Sequence, residues 1–163
     1  MTTVRSTLIN NLVARLGAMS VGGGYHFNWD LALGGGGFTQ IKQQGIDMSV
    51  LPRGIVFVTD GAVVETNNIN VEETLAILIE VWTFDDGASG LSSSEIVERM
   101  VTDVQRCFLA DDAQGVPLAK TWSRSVGWRP IADLREGVPY IGAEIDLEVT
   151  YHHRRADPRE LPA

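Results

Sequence analysis

An α+β domain, one mostly antiparallel β-sheet with two α-helices packed on one face, is what this sequence predicts, and three observations lead there. The chain's 163 residues are one domain's length, with 44% hydrophobic and 21% charged residues, enough apolar material for a sizeable core. Two windows repeat apolar residues at helical spacing, whereas several others alternate as half-buried strands do. Their order is helix, several strands, helix, two strands. Strict alternation of strand and helix, which builds a parallel sheet, is missing.

The first element is a helix over Val4–Leu16, with apolar residues at 4, 8, 9, 12, 13 and 16 and polar ones between them. Thr3 is placed to cap it, and Gly17 to end it in the left-handed conformation. Two glycine clusters follow, Gly22–Gly24 and Gly34–Gly37. Between them Tyr25, Phe27, Trp29 and Leu31 alternate with polar residues, which predicts a half-buried strand. Four glycines in a row offer no side chain to pack, so Gly34, Gly35, Gly36 and Gly37 are expected to form a mobile loop. Neither cluster suits a phosphate cradle, because neither leads directly into a helix or ends in Gly-Lys-Ser/Thr.

Leu51-Pro52-Arg53-Gly54 introduces Ile55–Val58, a β-branched run expected to end in a tight turn at Asp60-Gly61. Glu72–Phe84 reads as the longest strand. Leu75, Ile77, Ile79 and Val81 line one face and Ala76, Leu78 and Trp82 the other, so it should be central. Ser92 and Glu95 form a capping-box signature ahead of Ile96, Val97, Met100, Val101, Val104 and Phe108 at helical spacing. Strands follow over Leu118–Trp128 and, after a Gly137-Val138-Pro139 turn, Val138–Tyr151. The last has the clearest alternation: Ile141, Ala143, Ile145, Leu147, Val149 and Tyr151 on one face, Glu144, Asp146 and Glu148 on the other. Residues 1–151 form the domain and 152–163 a polar C-terminal tail.

Charge bounds the partners. Thirteen Lys and Arg against 21 Asp and Glu give a net charge of −8, which argues against nonspecific attachment to a phosphate backbone. The single cysteine, Cys107, excludes an internal disulfide and reads as a buried structural thiol. Polar residues interrupt Met1–Met19 where a leader needs an apolar stretch, and no window approaches the ~20 apolar residues of a membrane span. The expectation is a protein made in the cytoplasm, without secretion or membrane insertion.

His152 and His153 are adjacent on a strand end and point to opposite faces, so they read as part of a solvent-exposed basic cluster with Arg154 and Arg155 rather than as metal ligands. Glu144, Asp146 and Glu148 share a face, where carboxylates bind cations, act as acid and base, or simply face water. No nucleophile elbow, zinc motif or dinucleotide fingerprint occurs. The expectation is therefore a non-enzyme with no catalytic residues, metal or cofactor. The four tryptophans are expected as core or interface anchors.

The order of these signals resembles one family across nearly the whole chain. Val4-Arg5-Ser6-Thr7-Leu8-Ile9-Asn10-Asn11-Leu12-Val13-Ala14-Arg15-Leu16, then Leu51-Pro52-Arg53-Gly54-Ile55-Val56-Phe57-Val58 leading into the long strand, then the Ser92 helix, then Ile145–Tyr151 before Asp157-Pro158 are similar to the tail terminator, or tail completion, proteins of long-tailed bacteriophages. Gly34–Gly37 lies outside the resemblance. It implies a structural virion protein: a homo-oligomer, as a hexameric ring, at the head-proximal end of the tail. The ring stops polymerisation of the tail tube protein and meets a head-completion or connector protein. DNA passes through without specific binding. On that expectation Glu144, Asp146 and Glu148 face the lumen and repel phosphate, and Gly34–Gly37 is a docking loop. The alternatives are another phage neck component, head-completing or connector-joining, and a small metal-dependent enzyme.

Overall fold

The computed structural model describes residues 2–40, 48–85, 87–135 and 138–162. Five strands, β1 (Phe38–Gln40), β2 (Arg53–Thr66), β3 (Asn70–Phe84), β4 (Trp122–Arg135) and β5 (Val138–Arg154), form one sheet in the order β1-β2-β3-β5-β4. Every pairing is antiparallel except that of β1 with β2. Helices α1 (Val4–Leu16) and α2 (Ser93–Leu109) pack together on one face. The α+β class follows from the sequence pattern directly, and β3 takes the central position its two apolar faces call for.

Each helix begins on a side-chain cap. The Thr3 hydroxyl accepts the Ser6 amide at 3.1 Å at the start of α1. At α2 the Ser92 hydroxyl accepts the Glu95 amide while the Glu95 carboxylate accepts the Ser92 amide at 2.8 Å. This reciprocal pair satisfies two amides that lack partners inside the helix, and such caps contribute about 1 kcal/mol. Gly17 ends α1 in right-handed geometry, φ −69°, not the left-handed stop its identity suggests. Its amide bonds Val13 O and the chain turns on through Ala18 and Met19, so no reversal of hand is needed.

The core lies between the helices and the inner face of the sheet. Leu8, Leu12 and Leu16 of α1 and Met100, Val104 and Phe108 of α2 meet Leu75, Ile77, Ile79 and Val81 of β3 and Ile141, Ala143, Ile145, Leu147, Val149 and Tyr151 of β5. Burying a Leu, Ile or Phe completely contributes about 1.5–3 kcal/mol. A cavity from Leu12→Ala would cost about 2–5 kcal/mol. Cys107 belongs to this core.

Three elements depart from expectation. Tyr25–Leu31 is not a strand: Trp29 turns fully inward, and the chain bends into a 3-10 turn at Leu31–Leu33. The alternation was genuine as a polarity pattern, but its aromatics are gathered around a buried carboxylate rather than along a sheet. β2 does not stop at Asp60-Gly61. It absorbs Thr59 as an irregularity in register and runs to Thr66, with the reversal at Asn67–Ile69. β4 starts at Trp122, since Pro117–Ala119 forms a 3-10 turn instead, and runs past Trp128. The expected turn at Gly137 lies outside the described residues.

The strand β5 also reaches three residues into the expected polar tail. His153 is buried, His152 half-buried, and the basic cluster is exposed only at Arg154 and Arg155. Beyond it the chain folds back: the Arg155 amide bonds Ile69 O at 2.8 Å, the Val4 amide bonds Pro158 O at 3.3 Å, and Leu161 packs on the core. Among the described residues no helix is long and apolar enough to cross a membrane.

Candidate functional site

The helices cover one face of the sheet and leave the other open, and pairing register decides which side chains share that open face. Glu144, Asp146 and Glu148 all lie on it, half-buried or more exposed, opposite Glu80, Leu78 and Ala76 of β3. Glu80 and Glu144 are direct cross-strand neighbours, an unfavourable like-charge pair unless compensated. Compensation comes from both sides. The Trp82 indole N–H donates to Glu80 at 2.5 Å, and Arg129 of β4 pairs with Glu144 and, at 3.3 Å, with Asp146. Arg124 pairs with Glu148. The three predicted carboxylates are thus brought together, but two guanidiniums interleave with them. The row carries much less net charge than its acids alone suggest.

Gly34–Gly37 departs from the expected mobile loop. Gly35, Gly36 and Gly37 are buried, and only Gly34 is exposed. The Gly35 amide bonds Asp30 O, the Gly36 amide bonds Pro52 O and the Gly37 amide bonds Trp29 O, all within 2.9 Å. A Cβ at Gly35 would lie 2.4 Å from Trp29 O, and one at Gly36 would lie 2.3 Å from Val50 O. These glycines allow backbones to touch; their sequence signal is close packing rather than freedom.

A buried carboxylate anchors this region to α2. Asp103, 1% exposed, accepts the His26 amide at 2.8 Å, the Phe27 amide at 3.1 Å and the Trp29 indole N–H at 3.0 Å, and its Oδ1 lies 2.9 Å from His26 Nδ1. Sequence reasoning missed it. A signal was present, because Ile96, Met100, Asp103 and Cys107 fall at helical spacing on one apolar stripe, and a carboxylate there must find donors.

At the far end of the sheet the adjacent histidines diverge as strand geometry requires. On the open face His152 Nε2 lies 3.0 Å from Glu72. On the inner face the Tyr151 hydroxyl donates to Glu73 at 2.9 Å, and His153 Nε2 lies 3.5 Å from the same carboxylate. Burial, reinforced by the Glu73 charge, pushes the Tyr151 phenol well above its ordinary range. Burial likewise raises the Cys107 thiol, which disfavours the thiolate. Among the described residues no three metal-ligating side chains converge.

Exposed apolar side chains occur at several places, among them Leu31 and Leu33, Leu118, and the two outer parts of the sheet. Val63, Val64 and Ile69 are exposed on the β2–β3 hairpin, and Trp122, Val126 and Trp128 on β4. Beside β4 and the first turns of α2 opens a cleft of about 300 Å³, lined by Ser93, Ser94, Val97 and Glu98 of the helix and by Trp128, Pro130, Ile131 and Ile141 of the sheet. No family model and no curated protein matches this chain.

Proposed function

We propose that this chain is a structural virion protein that assembles as a ring, hexameric in the resemblance, on the head-proximal end of a phage tail tube. There it ends tube polymerisation and offers its other side to a head-completion or connector protein. The observation that carries the reading is the placement of exposed apolar side chains at opposite ends of the sheet, on the β2–β3 hairpin and on β4. A lone soluble domain has little use for two such patches, whereas a subunit with a neighbour on each side buries both.

In this reading the open sheet face turns toward the lumen, with Glu144, Asp146 and Glu148 at its centre. Arg124 and Arg129 hold their carboxylates in place, giving a weakly acidic wall that DNA passes without sticking. The exposed corner at Gly34, flanked by Leu31 and Leu33, meets the tube. The test is a capping assay: the purified chain is added to polymerising tube protein and tube lengths are measured by electron microscopy. Short, uniform tubes with a ring at one end support the reading. An unchanged length distribution contradicts it.

A further inference from the structure

The cleft between the first turns of α2 and the outer strand β4 has an apolar floor and a polar rim. Val97, Pro130 and Ile141 supply the floor, and at about 300 Å³ the space suits one long side chain, at the small end of ligand pockets. Trp128 forms a wall and is 41% exposed. Among the described residues no ring or cation stacks on it. An indole left half in solvent beside aliphatic side chains is a surface on which a flat cation rests well.

Charge selects the occupant. Glu98 is the charged residue of the lining and is exposed, and among the described residues no Lys, Arg or His pairs with it. From Thr83 to Glu98 the sequence holds four acids, Asp85, Asp86, Glu95 and Glu98, and no Lys or Arg. The next residue, Arg99, acts on Glu95 one turn back. Across the cleft Arg129 follows Trp128, but its guanidinium lies on the opposite face of the sheet, held by Glu144 and Asp146. The positive end of α2 favours anions and already has two: the Glu95 carboxylate of the capping box, and Asp85, which accepts the Ser93 hydroxyl at 2.5 Å. Glu98 is left as a carboxylate without a counterion, beside an apolar floor and an indole.

We propose that this cleft binds an arginine side chain of a different protein, its guanidinium flat on Trp128 and bonded to Glu98 while its alkyl stem runs over Val97 and Ile141. Arginine fits better than lysine, because a planar guanidinium stacks on the indole and offers a fork of donors to the carboxylate, whereas an ammonium is a compact, strongly hydrated charge. The Ser94 hydroxyl at the same rim can accept a further N–H. A side chain rather than a strand carries the contact: the register of β4 is irregular between Ser125 and Gly127 and Pro130 has no amide to give, so an added strand could not ladder along this edge. Arg124, Arg129, Arg154 and Arg159 of this chain already hold carboxylates of their own, which favours another chain as the donor. The assignment rests on the cleft alone and stands or falls apart from the tail reading.

The probe is a capped tripeptide, acetyl-Leu-Arg-Leu-amide, titrated into the full chain and followed through the indole and backbone N–H signals in two-dimensional NMR. The Trp128 indole signal is identified by its loss in Trp128→Phe. The proposal expects saturable shifts of that signal and of the Ser94 and Val97 amides, with a dissociation constant below about 5 mM. Citrulline in place of the arginine keeps the shape and removes the charge, and should weaken binding at least about fivefold; Glu98→Gln, at an exposed position, should do the same to the arginine peptide. Trp128→Ala, checked for folding by far-UV circular dichroism, should weaken it about tenfold, with Trp128→Phe between. Equal binding of the arginine and citrulline peptides, a Glu98→Gln protein that binds like wild type, shifts confined to other parts of the chain, or no saturable shift at about 10 mM peptide overturns the proposal. Sedimentation separates a different protein from a second copy. Glu98→Gln should self-associate like wild type; weakened self-association would make another copy of this chain the occupant and overturn the assignment.

Discussion

Replacing Asp103 with alanine should be among the most damaging single changes in the molecule, because one carboxylate organises the segment from His26 to Trp29. Its loss strands the Trp29 indole N–H inside a residue that is fully buried, at about 1–3 kcal/mol for an unsatisfied buried donor. The His26 and Phe27 amides lose charge-assisted bonds as well, though His26 is exposed and Phe27 half-buried, and both regain some water. Together these give about 3–5 kcal/mol, the cost of breaking a buried charged arrangement from one side. Against a domain stability of about 5–15 kcal/mol the variant still folds. With a urea slope of about 1–3 kcal/mol/M, its midpoint should fall by about 2 M. Asp103→Asn keeps one acceptor oxygen but turns an NH2 group toward donors, so it should lose roughly half as much. Urea unfolding followed by tryptophan fluorescence and far-UV circular dichroism measures both. A loss below about 1 kcal/mol for Asp103→Ala would refute the reasoning, showing that the donors find other acceptors at little cost.

Other changes read separate features of the fold. Gly35→Ala and Gly36→Ala should each cost more than about 2 kcal/mol, since a Cβ collides with backbone; Gly34→Ala, with φ +90° but open space around it, should cost about 1 kcal/mol, and thermal melts rank the three. Ser92→Ala should remove about 1 kcal/mol by opening the capping box. Bonds from Ser92 hold the Glu95 carboxyl below its usual range. Its contribution is therefore complete above the ordinary carboxylate pKa and is lost as pH falls through the depressed one, and acid titration of the Ser92→Ala variant should show that loss diminished. Cys107, with its thiol raised by burial, should react with a disulfide reagent at pH 8 about 100-fold more slowly in the native protein than in denaturant; equal rates would contradict its placement.

Much of the fold was legible because long-range packing agreed with local pattern. Val4–Leu16, the Ser92 helix, the β3 window and the alternation from Ile141 to Tyr151 each carry a period that survives into the structure. The Glu144, Asp146 and Glu148 row was legible on the same grounds. Its arginine partners were not, because they depend on how β4 pairs with β5 across a register shift at Val126. The Tyr25–Leu31 segment misled for a physical reason: period-two alternation describes polarity, and a buried carboxylate on a distant helix can claim the same residues by hydrogen bonding. The glycines misled in the opposite direction, since the absence of a side chain permits close packing as readily as motion.

The central claim, that this chain closes the head-proximal end of a phage tail, is tested most directly by electron microscopy of particles produced without it. Tail length and head attachment are scored separately. The account predicts overlong tails without heads, restored to normal length by the wild-type chain. Tails of normal length that fail to join heads would place the chain at the head side of the neck and contradict the terminator role. Intact infectious particles would contradict any structural role in the tail.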